Sequence, residues 1–519
     1  MGCLRTRATI ALAIAAALAS GALLFAATPY VGAGTLAWFA LVPAAAVAIR
    51  HWGTRAGRVV IPLGYTVYLE LMFIPALPFG LTKDQWGDDP VVPILIGDSP
   101  VLITAIVIVP LVGLVLYLLH FPFFASRARL APWIAMVAIP SLAFAALDFL
   151  RASFDPSGLW GPLFLSQEGT AGARLAELGG PALISLAIAF ANFSLAYVLV
   201  RRLRGVPALA AATACALIAT IGLAISGASE RSRTLTVAAV QPGYDTAQYE
   251  LPLLANFLSA NRNDELGTLD LIADLTPLTE EAAAAGATLV VWPEATAWAD
   301  PFTSEKTQQA LSDLATRTNS AIVVPYFLRA RSYGATVIVD ADGEISRAQP
   351  KQRTMWFLGE KNDNRVAAQP VNVSGVAVGT MLGVDSQNAS IARDLVKAGA
   401  DIITSSTHDW EQAAPQHAAF SGIAATALDV PIVRADWRNV SAIFHAGGEV
   451  AASTGRPTKR GIAVAEIEVG AGSTPYRTVG DIVGWIAVAA AGAALLFGAL
   501  AHARTRERAE AVDSDGVAL

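Results

Sequence analysis

LIADLTPLTEEAAAAGATLVVWPE (271–294) and SEKTQQALSDLATRTNSAIVVPYF (304–327) place a helical pattern before an apolar run twice in succession. Neither run, TLVVWPE (288–294) or AIVVPYF (321–327), alternates strictly, as expected of strands buried on both faces. Strands that alternate with helices predict sheets covered by helices. Working outward, similar runs recur at TLTVAAVQP (234–242), ATVIVDADG (335–343), VAVGTMLGVD (376–385), ADIITSS (400–406), IVRADW (432–437) and GIAVAEIEV (461–469). Residues 228–478 therefore read as one α/β domain.

The rest of the chain is of a different kind. At 54% hydrophobic and 15% charged residues, with a mean hydropathy of +0.50, the composition excludes a purely water-soluble protein of this length. Apolar runs of spanning length fall at about 8–27, 33–49, 58–79, 100–120, 131–149, 180–200, 206–226 and 481–503. Basic residues gather at alternate ends: Arg5 and Arg7; Arg50, Arg55 and Arg58; Arg127 and Arg129; Arg201, Arg202 and Arg204; Arg504, Arg506 and Arg508. Because Lys and Arg stay on the cytoplasmic side, eight spans with both termini inside satisfy every loop. The expectation is a polytopic α-helical membrane protein with an inserted extracytoplasmic α/β domain. Its parts are a seven-helix membrane domain (1–227), the α/β domain (228–478), a C-terminal transmembrane helix (479–504) and a cytoplasmic tail (505–519). The first run also has the form of a signal peptide, whose removal would leave seven spans. Cys3 and Cys215 are the only cysteines and suggest no disulfide framework; Cys215 reads as a small buried hydrophobe.

Motifs in order along the chain resemble apolipoprotein N-acyltransferase, the integral-membrane branch of the nitrilase, or carbon-nitrogen hydrolase, superfamily. VAAVQP resembles that family's opening strand, and VVWPEATAW the strand end bearing its glutamate, which maps to Glu294. DADGEISRAQPK places the family's lysine on Lys351. FLGEK resembles a Phe-Gly-Glu loop with one extra residue and maps a second glutamate to Glu360. THDW, the Gln416 and His417 pair, Arg434 and TPYRTVGD match in order. In the membrane half, LDFLRASFDPSGLWGPLFLSQ resembles a Glu-x-Leu-Arg segment with Asp148 in place of glutamate. The resemblance implies an α-β-β-α sandwich, a bacterial cytoplasmic (inner) membrane location, no cofactor and no metal.

In such enzymes a Glu-Lys-Cys triad forms a thioester: the glutamate takes the thiol proton and the lysine stabilises the oxyanion. The acyl chain then passes from a phospholipid to the N-terminal amine of a diacylglyceryl-cysteine lipoprotein. The family's Cys-Tyr-Glu motif aligns with Gly383, Val384 and Asp385, so the nucleophile position holds glycine. Ser386 is the nearest hydroxyl that could substitute. The resemblance assigns substrate binding to Trp356, Phe357 and Asp385, and the two aromatic residues could instead simply pack in their loop. Glu294 and Lys351 read equally well as a structural ion pair, and Glu360 as a solvated carboxylate. His408, Asp409 and His417 lack a diagnostic metal-ligand spacing. Glu70, within the third apolar run, lines a headgroup pocket or snorkels to the interface.

Two classes of function follow. One is an N-acyltransferase homologue impaired in the thioester route. The other is a non-catalytic binder of lipid or lipoprotein, a scaffold or regulator of a cysteine-containing paralogue or of a polyprenol-phosphate mannose synthase. Expected partners are thus phospholipids, lipoproteins and the membrane; nucleic acid is not among them.

Overall fold

The computed structural model describes residues 2–76, 133–154, 161–202, 231, 233–243, 264–328, 333–354, 367, 369–409, 414–437, 439–455 and 459–515. The α/β domain is built on two six-stranded sheets, ordered β12-β1-β2-β3-β4-β5 and β11-β10-β9-β8-β7-β6. The first comprises β1 (Arg233–Gln241), β2 (Leu289–Val291), β3 (Ala321–Leu328), β4 (Tyr333–Val339), β5 (Gln349–Pro350) and β12 (Gly461–Val469). The second comprises β6 (Val371–Val373), β7 (Val376–Leu382), β8 (Ile402–Thr407), β9 (Ile432–Asp436), β10 (Ala442–Phe444) and β11 (Val450–Ser453). Each sheet has a parallel trio, β1-β2-β3 and β7-β8-β9, flanked by antiparallel strands.

The trios are buried on both faces, which explains their unbroken apolar runs. Val237, Ala239, Val291 and Val323 meet Val378, Ile402 and Val433 between the sheets. On the outer face of the first sheet, Val290, Trp292 and Val324 pack against Leu275 and Leu311 of two covering helices, Asp264–Ala284 and Glu305–Thr318. The second sheet is covered by helices Ala389–Lys397 and Ala414–Leu428. The result is the α-β-β-α sandwich that the resemblance implies.

The outer helices of the second sheet do not face solvent alone. Their core, including Leu395, Phe420 and Ile423, is continuous with Ala44, Phe144, Phe164 and Phe193 of the apolar half. That half contains α1 (Gly2–Ala26), α2 (Ala37–Ala40), α3 (Val42–Arg50), α4 (Arg55–Ala76), α5 (Ile139–Phe154), α6 (Leu175–Gly179) and α7 (Pro181–Arg201). After the two sheet-2 helices, named α10 and α11 in chain order with the sheet-1 pair as α8 and α9, come α12 (Pro475–Val479) and α13 (Ile482–Asp515).

Among the described residues, four helical segments are long and apolar enough to cross a membrane: Arg7–Ala26, Ile134–Ser153, Pro181–Arg201 and Ile482–Leu500. They coincide with four of the eight predicted runs. The run at 33–49 is instead broken: a 3-10 turn at Gly34–Leu36 leads to α2, and Leu41 separates α2 from α3. Asn192 of α7 satisfies this break, its Oδ1 accepting from Leu41 N at 2.8 Å while its Nδ2 donates to Ala37 O at 2.8 Å. A buried backbone interruption needs such partners. The run at 58–79 falls largely on α4. Those at 100–120 and 206–226, with Cys215, lie outside the described residues. The helix expected to end near 504 continues to Asp515.

Candidate active site

The predicted catalytic positions arise at strand ends: Glu294 and Gly383 after the parallel strands β2 and β7, and Lys351 after the antiparallel edge strand β5. Pro293, which cannot donate to a ladder, follows β2, and the chain turns at Glu294. Glu294 N donates to Thr407 O at 3.2 Å, at the end of β8 in the other sheet, and Glu294 O accepts from Trp437 Nε1 at 2.5 Å. The next residue, Ala295, holds the left-handed φ of 57°, a conformation that costs a non-glycine residue on the order of 1–2 kcal/mol. Behind the turn, Trp292 Nε1 donates to Thr279 Oγ1 at 3.0 Å and anchors the strand end to α8.

Lys351 directly follows β5, where its backbone N donates to Gly334 O at 3.0 Å. Its side chain is 4% exposed, and Nζ lies 3.1 Å from Glu294 Oε1, whose side chain is 21% exposed. Gly383 begins the turn after β7 with a φ of 56°. A Cβ placed on Gly383 would lie 2.5 Å from Glu294 Oε1 and 2.7 Å from Oε2. The three positions therefore converge on one corner, and the Glu294 carboxylate fills the space where a side chain at 383 would begin.

Asp385 has a different setting from the substrate contact expected of it. Its Oδ2 accepts from Gln352 N at 3.0 Å and Leu382 N at 3.3 Å, and its Oδ1 from Arg353 N at 2.6 Å. It is 1% exposed. Burial pushes its carboxyl up to about 6, against the opposing pull of these amides and of Lys351. The residue fastens the Gly383 turn to the Lys351 loop. From the same loop, Arg353 donates to Ala152 O of α5 at 3.0 Å and ties the site to the apolar half. Ser386 is buried and donates its Oγ proton to Gly383 O at 2.7 Å, within its own turn.

Trp356, Phe357 and Glu360 lie outside the described residues. Glu70 sits half-buried on α4. The histidines have organic partners. His408 packs beside the Trp437 ring at 5.9 Å, and His417 Nδ1 lies 2.6 Å from Asp409 Oδ1. No metal-binding cluster is found among the described residues. Arg434, fully buried, bridges Asp409, Asp436 at 3.2 Å and Thr407 Oγ1 at 2.5 Å. Burial by itself would raise the Asp409 carboxyl, but the charges of His417 and Arg434 hold it well below the usual carboxylate range.

Sequence reading missed Thr407, Trp437 and Ala295, which fix the Glu294 backbone. Thr407 and Trp437 were visible as THDW and IVRADW, but their pairing to a strand end in the opposite sheet was not.

Residues 236–476 match the carbon-nitrogen hydrolase family model. The chain thus carries a domain of the carbon-nitrogen hydrolase, or nitrilase, superfamily over those residues. Similar solved structures include a carbon-nitrogen hydrolase from Helicobacter pylori G27, at 18% identity over 45% of this chain and 89% of that one, with a TM-score of 0.36. An amidase from Nesterenkonia sp. is 13% identical over 47% of this chain and 94% of its own, with a TM-score of 0.37. A Saccharomyces cerevisiae nitrilase-superfamily member is 16% identical over 47% and 93%, with a TM-score of 0.37. No curated protein sequence matches the chain.

Proposed function

We propose that this chain is a membrane-bound homologue of apolipoprotein N-acyltransferase that binds a lipid or lipoprotein ligand without forming a thioester. One observation carries the reading: Gly383 supplies no nucleophilic atom, and the Glu294 carboxylate stands where its side chain would start. Glu294, which would take a thiol proton, is instead ion-paired with Lys351. Ser386 offers no ready substitute, because its proton is committed to Gly383 O. A weak hydroxyl nucleophile needs an adjacent base. The apolar segments and the shared core with α10 and α11 support a domain seated on a bacterial cytoplasmic membrane, facing away from the cytoplasm. Such a binder would act beside a cysteine-containing paralogue or a polyprenol-phosphate mannose synthase.

Intact-protein mass measurement after incubation with phospholipid tests this. The unmodified chain should gain no acyl adduct, whereas Gly383→Cys, alone or with Val384→Tyr, should gain one once Glu294 swings aside. An adduct on Ser386 of the unmodified chain, lost in Ser386→Ala and Glu294→Gln, would refute the reading and establish a serine enzyme. Topology reporters should read cytoplasmic after Arg204 and Arg508 and extracytoplasmic at Asp342.

A further inference from the structure

A cavity of about 280 Å³ opens where the apolar half meets the outer layer of the sandwich. Its walls include Thr28 and Gly34, just beyond the candidate span Arg7–Ala26, with Ser166 and Glu168, and Ala418 and Phe444 from the α/β domain. None of Glu294, Lys351 or Gly383 lines it. Among the described residues lining it, Glu168 alone is charged.

The Glu168 side chain lies over the bare backbone of Gly422 on α11, where an added Cβ would come within 2.9 Å of its Oε1. No cation or hydrogen-bond donor meets that carboxylate among the described residues, and burial pushes its carboxyl up. The residue is half-buried, and a carboxylate partly withdrawn from water without a counter-charge is destabilised, so a bound cation would offset that cost.

The neutral lining defines the cation further. Thr28, Ser166 and Ser453 donate their hydroxyl protons to Phe25 O, Leu163 O and Ser441 O, and Ser166 and Ser453 also accept from Gln167 Nε2 and Gly455 N, so toward a ligand these hydroxyls offer only their remaining lone pairs. A carboxylate with hydroxyls of this kind suits a group with several donors and no acceptor, as an ammonium has. The alanines and Phe444 suit an attached aliphatic carbon chain. A divalent metal, by contrast, would want several anionic oxygens.

We infer that this cavity binds an aliphatic primary ammonium group, held by Glu168 at the junction of the apolar half and the α/β domain. The ammonium comes either from a lipid headgroup, which the position beside the end of a candidate span favours, or from a soluble amine. The site stands apart from the Glu294–Lys351 corner, and its occupancy is independent of whether acyl adducts form there.

The test uses the purified full chain, with binding read by native mass spectrometry and by calorimetry. The probes are ethanolamine in detergent, and nanodiscs containing phosphatidylethanolamine compared with phosphatidylglycerol alone. Selective retention of phosphatidylethanolamine, weakened at least about tenfold by Glu168→Gln, supports the site with a lipid source. Ethanolamine binding with the same dependence supports it with a soluble source. Ala418→Leu, which keeps the carboxylate and reduces the space, should also weaken either interaction. If a folded Glu168→Gln protein, with an unchanged melting temperature, binds both amine probes as the unmodified chain does, or if neither probe binds the unmodified chain, the inference is overturned.

Discussion

Two clusters of charge sit in the α/β domain, and they are built in opposite ways. Around Arg434, one fully buried guanidinium meets Asp409, Asp436 and Thr407, and Asp409 also meets His417. Asp436 in turn accepts from the backbone of Asp409 and Asn439 at 3.1 and 2.9 Å. At the other corner, Lys351 Nζ lies 3.1 Å from Glu294 Oε1, and Glu294 remains 21% exposed. Dense mutual bonding marks a network that holds strand ends in place. A partly exposed pair beside a glycine, where strand ends converge, is within reach of solvent. Family resemblance draws attention to both clusters equally; burial separates them.

The largest expected effect tests the network. Arg434→Met leaves two carboxylates buried without their cation and should cost about 3–5 kcal/mol, seen as a large fall in melting temperature or loss of folded protein. A change below about 1 kcal/mol would show that the cluster is wet and the contrast false.

Asp385 gives an intermediate effect with a definite sign. Its folded carboxyl lies near 6, above the ordinary 3.8, so the folded chain binds this proton more tightly than the unfolded one. Its contribution is present below about pH 3.8 and is lost as pH rises through about 6, on the order of 2–3 kcal/mol in all. Melting curves from pH 4 to 7 should show this decline in the unmodified chain relative to Asp385→Asn, which cannot ionise. Parallel profiles for the two proteins would contradict the assignment.

Lys351→Met should cost less than Arg434→Met, about 1–3 kcal/mol, because water reaches the Glu294 carboxylate left behind. Equal costs for the two substitutions would break the comparison directly.

Smallest is the coupling at the glycine. Gly383→Ala should cost about 1–2 kcal/mol for the left-handed backbone, plus the displacement of Glu294. In a Glu294→Ala background only the backbone part should remain, leaving a coupling of about 0.5–1 kcal/mol in a double-mutant cycle. Strict additivity would mean that the carboxylate does not occupy the space of the missing side chain.

The legible elements were those whose pattern is local. The run at 461–469 is β12 residue for residue, and 234–242 is displaced from β1 by one position. Other readings ran long at strand ends: 288–294 shortens to Leu289–Val291, and 376–385 to Val376–Leu382, because the last residues turn out of the sheets to make the site. The short strands β5, β6, β10 and β11 went unread, since two to four residues carry no period. The apolar run at 33–49 looked continuous because the partner of its break, Asn192, lies far along the chain.

By itself, the sequence determined that helices alternate with buried strands and that long apolar segments accompany them, and resemblance alone aligned Gly383 with a family cysteine. The first two follow from residue type and short-range periodicity, which act within a few residues. Tertiary structure alone decided that the Glu294 carboxylate fills the place where a side chain at 383 would begin, that Asp385 binds two loops together, and that Glu168 lines a cavity with no counter-charge among the described residues. Each depends on groups brought together from distant segments, where burial and the number of available partners set the energy of a charge, and neither quantity is written in any local pattern.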